Sequence, residues 1–408
     1  MQTKIKFNPL VFARYLIIIE LIVILFSTAL SNLIEITLYS LCLLSPSIRK
    51  EIYDNSKQPL FKTSLAFIFI IFISTFWSIA PLNIAFGELW GWRKILLLPI
   101  SLALFYDVKY KDQTINIFLV FTTIICIISL WNIFVDKVNG DIIRNHATQG
   151  MIFSVSLIVL LNKLLHNYKK LDRLKKITYF CLVPILGLNI LNIQGRSGYL
   201  ALIVMVLISL IIYMYKNKSN WSFIVAPLIL ILLMSGMFSS KIVAQRINLG
   251  IEEIIETLFR DGDGKSSMGI RTNMFILSVE TIKENPIFGV GNGGFRTEME
   301  KKTKNNKNKG LAVHDPHNQY LKIIAEFGII GFAVFIYLLI SATKQSPEKN
   351  YSNYKEIALI VLAAWMATSL FNSHFSTFTE GRFIYLWLGI MLASKKIILE
   401  RNEVKLFF

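Results

Sequence analysis

An arginine at the mouth of an apolar run, another inside a polar loop, and two histidines before the next apolar run are the residues that invite chemistry. In Gln194 to Tyr199, QGRSGY, Arg196 opens an otherwise hydrophobic run between Gly195 and Gly198. A guanidinium costs about 2.5–3.5 kcal/mol at the centre of a membrane helix and less at the interface. The plain alternative is therefore an interfacial arginine that snorkels to water, while the flanking glycines would let a ligand approach the backbone. Arg271 begins a second stretch, Gly269 to Phe295, in which Met274, Ile276, Leu277, Val279 and Ile282 recur at helix-like intervals. Asn285-Pro286 should end that helix. The stretch closes on Gly289, Gly291, Gly293 and Gly294, a turn able to aim backbone N–H groups at an anion. Its spacing is not the Rossmann one and no parallel sheet surrounds it, which argues against a nucleotide site.

The third stretch, HDPHNQYLKIIAEFGIIG, sets His314 and His317 three residues apart, with Asp315 between them and Asn318 and Glu326 following. Zinc is disfavoured, because the spacing is not H-E-x-x-H and Pro316 opposes a regular helix. Asp315 or Asn318 could equally serve as a helix cap. Lys94, with Arg93, heads a further apolar run and would add a third cationic position. His146, His166 and His374 have no supporting constellation. Guanidinium groups match phosphate oxygens in bidentate geometry. An imidazole, titrating at about pH 6.5, can take a proton from a hydroxyl. Positive charge beside a diphosphate stabilises it as it leaves. No nucleophilic serine or cysteine stands out. This set suits glycosyl transfer from a lipid diphosphate.

The elements that must position these groups are membrane helices. Of the 408 residues, 54% are hydrophobic and only 17% charged, and the mean hydropathy is +0.54. Apolar runs of about 15–22 residues approach or reach the length needed to cross a hydrocarbon core of about 30 Å. Twelve spans are expected, at 15–30, 33–47, 61–80, 94–107, 114–135, 148–165, 177–194, 197–215, 221–238, 325–343, 355–372 and 382–394. The first resembles a signal peptide but lacks a convincing cleavage site, so it is read as a retained helix. This divides the chain into a membrane region at 1–238 with nine spans, a large polar loop at 239–324 and a membrane region at 325–408 with three. Lys301 to Lys309, KKTKNNKNK, reads as a solvated loop tip.

The net charge of +17 is explained by lysines and arginines in alternate short connections, which places both termini in the cytoplasm and the large loop outside. No basic, aromatic-interleaved soluble segment exists to bind nucleic acid. Cys42, Cys126 and Cys181 all lie in apolar runs without metal spacing,.

The order GRSGY, then G-x-R and a glycine-rich segment in an outer loop, then H-N-x9-G-x-x-G before a span resembles the O-antigen ligase and O-antigen polymerase superfamily of bacterial envelope glycosyltransferases. The last motif is His317, Asn318, nine residues, Gly328, Ile329, Ile330, Gly331. The resemblance implies an all-α, GT-C-like integral membrane protein of the inner membrane, with one large periplasmic loop. It implies a glycan donor on undecaprenyl diphosphate, and neither metal nor other cofactor. His317 would be catalytic; Arg196 and Arg271, with Lys94 and Arg93, would hold the diphosphate; His314, Asn318 and Glu326 would support them. A single displacement would invert the anomeric carbon. The single dominant loop and the motif's form favour a ligase, with lipid A-core as acceptor, over a polymerase. The glycine cluster GVGNGGF is offset from the family pattern. A transporter or flippase of lipid-linked sugars is the alternative from another class; it would spread charge along the spans and break helices around a central site.

Overall fold

The computed structural model describes residues 8–168, 171–193, 195–217, 245, 248–253, 255–256, 266–304, 315–345 and 352–394. Among them the regular structure is helical, without a strand. In chain order the helices are α1 (Pro9–Val23), α2 (Thr28–Leu44), α3 (Pro46–Asn55), α4 (Pro59–Ser74), α5 (Leu82–Trp92), α6 (Leu97–Leu104), α7 (Val108–Phe134) and α8 (His146–Asn167). They continue with α9 (Arg173–Asn192), α10 (Arg196–Asn217), α11 (Ser267–Glu284), α12 (Gly294–Lys304), α13 (Gln319–Lys344), α14 (Ser352–Thr368) and α15 (Phe378–Leu392).

Six are long and apolar enough to cross a membrane: α4 extended to Trp77, α7, α8, α9, α10 and α13. α2 and α3, bent by 88°, would make a seventh if counted as one span. The remaining expected runs are shorter, and packing explains two of them. Every residue of α6 is buried, as is α15 from Thr379 to Leu392. A helix buried all round sits at the centre of a bundle, where it need not match the bilayer. The two cross closely at Gly389, where a Cβ would stand 2.6 Å from the Leu98 carbonyl oxygen. Around them one core runs from Ala13 to Ala393.

Three expectations change. The run 94–107 is not one straight span but a 3₁₀ turn, Arg93–Leu96, followed by the two-turn α6. The run 355–372 stops at Thr368, because Asn372 and Ser373 are drawn into a polar turn. Lys301 to Lys304 continue α12 rather than forming a loop tip, and Lys302 pairs with Glu284 at 2.7 Å. The run 221–238 lies outside the described residues.

Contacts between remote segments distinguish the two ends of the bundle. At one end Tyr106 donates to Glu51 (3.1 Å), Tyr354 to Asp112 (2.9 Å), and Lys111 to the carbonyls of Met391 and Ala393. At the other, Thr379 donates to the Ile24 carbonyl (3.1 Å), Thr148 to Glu380, and Gln319 N–H to the Ser369 carbonyl (2.9 Å). The loop helices α11 and α12 attach to this second end through Met274, Leu277, Phe295 and Met299, packed against Ala325 of α13.

Candidate active site

Arg196 is the first residue of α10 and is half-buried. The glycines beside it serve packing rather than a ligand. A Cβ on Gly195 would lie 2.6 Å from the His146 carbonyl oxygen, and one on Gly198 would lie 2.7 Å from Gly150 Cα. Their absence lets α10 press against the start of α8 and plants Arg196 there. Arg271 lies in the first turns of α11, behind the cap that Ser266 forms on Gly269 N–H (3.1 Å). Burial, then the neighbouring Arg196 charge, pushes its pKa down, against the opposing effect of Glu253. The two guanidinium groups therefore share one field, which an anion would relieve.

His317 stands in a turn before α13 with φ +51°. A non-glycine residue in this left-handed region is strained by about 1–2 kcal/mol, and such strain gathers at functional positions. Asp315 holds the turn: it accepts the His317 N–H (2.8 Å), the Ser373 hydroxyl (2.6 Å) and the Lys322 amine (3.2 Å). Burial alone would raise the Asp315 pKa. The Lys322 charge, the Ser373 hydroxyl, the His317 N–H and the His317 charge outweigh it and hold the carboxyl below its ordinary value. Asn318 caps α13 through Tyr320 and Leu321 N–H (3.0 Å each) and ties it to the Leu370 carbonyl (3.0 Å).

The ring of His317 meets Asn372. Asn372 Oδ1 accepts the Ser373 N–H at 3.0 Å and faces His317 Nδ1 at 3.4 Å. A carbonyl oxygen can only accept, so in the neutral ring this contact favours the proton on Nδ1 and the lone pair on Nε2. That is the tautomer a base needs.

The other expected residues have different surroundings. Lys94 donates to the carbonyls of Ser376 and Thr377 (2.9 Å to the latter), bracing the turn after α14. Arg93 pairs with Glu35 at 2.8 Å, bonds Asn32 and the Trp90 carbonyl, and lies over the Trp90 ring. Glu35 is also paired with Arg382. Glu326 is buried, one carboxylate oxygen lacks a partner among the described residues, and its carbonyl accepts the Gly291 N–H (2.8 Å). His314 lies outside the described residues.

The glycine-rich turn does not present its N–H groups to an open site. Val290 and Gly291 N–H bond the carbonyls of Ala325 and Glu326 (2.8 Å each), and Gly289 and Gly294 bond within the turn. The turn docks where α13 breaks, at Gly328 (φ +63°, ψ −169°). Among the described residues, no group of three His, Cys, Asp or Glu side chains is placed to hold a metal ion. An apolar cavity of about 830 Å³ lies between α4 and α5, walled by Leu65, Phe69, Phe72 and Phe86 and bordered by Lys62 and Arg93; Arg196, Arg271 and His317 do not line it.

Sequence reasoning missed Asn372, Ser373 and His374, whose polar cluster FNSHFST it assigned partly to a span. It also missed Arg144, which stacks on Phe378 at 4.4 Å near Glu380. The signal that singled out Arg196, a cation at the mouth of a span, would have found Arg144 as well.

Replacing Asp315 with Asn should cost about 1–3 kcal/mol, since Lys322 loses its counter-charge. Because the folded pKa is depressed, the carboxylate's contribution is present above its unfolded value of about 3.9 and fades as pH falls through the lower folded value. Thermal unfolding followed downward from pH 5 should therefore show a loss that Asp315→Asn largely abolishes; parallel curves for the two proteins would refute this role.

Residues 181–336 match the family model described as O-antigen ligase. That stretch contains Arg196, Arg271, His317 and the break at Gly328. An uncharacterized protein of Haemophilus influenzae is 28% identical over 152 residues, covering 36% of this chain and 37% of that protein. The chain thus aligns with little more than a third of that relative. With its arginine-headed helix, its loop arginine and its histidine turn all inside it, the stretch 181–336 is similar to the O-antigen ligase family.

Proposed function

We propose that the chain is an O-antigen ligase of the bacterial inner membrane. It carries twelve spans in a GT-C-like arrangement, with both termini cytoplasmic and the loop at 239–324 in the periplasm. It transfers a glycan from undecaprenyl diphosphate to lipid A-core, without metal, in one inverting displacement. What supports this reading is that Arg196 lies within electrostatic reach of Arg271, while Arg271 and Asp315, the residue that holds the His317 turn, both lie within reach of His374. Arg196 and Arg271 hold the diphosphate. His317 Nε2 takes the proton of the acceptor hydroxyl while that oxygen attacks the anomeric carbon, and the bonding pair leaves with the diphosphate. Lys94 acts by holding the turn at Ser376 and Thr377, and Arg93 by its pair with Glu35. The apolar cavity beside Arg93 suits a hydrocarbon chain.

A polymerase would use the same donor chemistry with a lipid-linked chain as acceptor. A transporter predicts broken helices and buried charge, and both features occur here. The break at Gly328, however, receives the protein's own glycine turn, and Glu35 is matched by two arginines, which argues against a substrate site at either place.

The deciding experiment supplies proteoliposomes with undecaprenyl-diphosphate glycan and lipid A-core. Transfer to lipid A-core, unchanged by chelator, is expected. Chain growth on the carrier alone would indicate a polymerase, and movement of donor across the bilayer without transfer would indicate a flippase. Activity abolished by chelator and restored by metal would sink the metal-free mechanism.

A further inference from the structure

His374 stands alone in the sequence, but the fold surrounds it with charge. Its side chain is fully buried, and neither ring nitrogen has a hydrogen-bond partner among the described residues. Protein interiors rarely leave both sides of an imidazole unsatisfied. Its backbone is fixed by neighbours: Gln319 of α13 accepts the N–H groups of Phe375 (2.9 Å) and Ser376 (3.0 Å). Charged groups of three elements act on the ring, namely Glu380 of α15, Asp315 of the turn before α13, and Arg271 of α11.

These influences oppose one another. Burial, the largest, disfavours the imidazolium, and so does the Arg271 charge; Glu380 and Asp315 favour it, and the net effect is a lowered pKa. Arg271 is also the group that, with Arg196, is assigned above to the diphosphate. An anion bound there cancels the one neighbouring charge that opposes protonation and adds a further attraction. Resting on that assignment, we propose that His374 takes up a proton when the diphosphate donor binds and becomes the third positive charge of the site. The proton comes from solvent, and no covalent bond to the donor is made or broken in this step.

The consequence is proton-linked binding that depends on a residue outside the His317 turn. The test is calorimetric titration of the full purified chain with farnesyl diphosphate at pH 7, in PIPES and in Tris, which differ in ionisation enthalpy. Wild type should take up about half to one proton more than His374→Gln. The subtraction removes the titration of the ligand's own phosphates and of every group that the two proteins share. In the same comparison, wild-type affinity should fall with rising pH relative to the variant, by up to about tenfold per unit. Equal proton uptake by the two proteins overturns the proposal. His374→Asn repeats the measurement if the glutamine variant folds poorly. Arg196→Ala/Arg271→Ala separates the two ideas. If that double variant binds as wild type does, the diphosphate assignment fails and the proposal with it. If it loses binding while His374→Gln leaves the proton count unchanged, only the proposal falls.

Discussion

Replacing His317 with asparagine is expected to lower glycan transfer by about 10²–10⁴-fold, the range typical of a lost general base. Asparagine is the informative substitution, because it tolerates the left-handed backbone that His317 adopts at φ +51°,. The turn, its Asp315 bond to the residue 317 N–H (2.8 Å) and the cap at Asn318 should therefore persist, leaving the imidazole as the only loss. Arg271→Ala is expected to cost about 10²–10³-fold, as for other preorganised groups that stabilise a departing charge. The double variant should lose less than the product of the two, since both act on one transition state. Initial rates in proteoliposomes at matched insertion levels measure all three. Transfer by His317→Asn within about threefold of wild type would remove the histidine from the mechanism.

Gly328→Ala is expected to destabilise the protein by about 2–5 kcal/mol, from backbone strain together with overpacking. Gly328 is in the left-handed region, and a Cβ there would stand 2.0 Å from the Ile287 carbonyl oxygen. The obstacle is backbone, so no rotamer change relieves it. The same contact line includes Ile329 N–H on the Pro286 carbonyl (2.9 Å) and Val290 N–H on Ala325 (2.8 Å). Displacing it should undock the Pro286–Gly294 turn from α13 and from the residues after α4, where Ser78 bonds the Asn292 carbonyl (2.8 Å) and Asn292 bonds Ala85 (2.7 Å). Thermal unfolding in detergent and protease sensitivity around residue 286 measure this. Gly187→Ala, where nothing lies within 4 Å of the added Cβ, is the matched control. A Gly328→Ala protein as stable as that control would mean that the turn does not depend on the break.

Much was legible in the sequence because it depends on local composition. Apolar runs report membrane helices, as α7, α10 and α13 illustrate, since a span must satisfy its backbone internally and shed charge. The capping of α13 by Asn318 and the stop of α11 at Asn285-Pro286 follow from the same short-range rules. Arg196, Arg271 and His317 stood out because each is costly or unusual where it occurs.

What tertiary structure alone decided depends on partners distant along the chain. That α6 and α15 can be short follows from their burial on every side. The glycines around Arg196, and Gly289 and Gly291, looked suited to ligands, yet their missing side chains are needed for backbone to meet backbone, at His146 and Gly150, at Glu326 and at Ser78. Lys94 and Arg93 resembled free cations, but the fold brings carbonyls and Glu35 to them. Asp315, Asn372 and His374 acquire meaning only once the turn after α14 folds against the turn before α13. Sequence determined which groups the protein can use, because residue chemistry is local; only the fold decided which remain available, because hydrogen bonds and charge compensation are settled by whatever packs alongside.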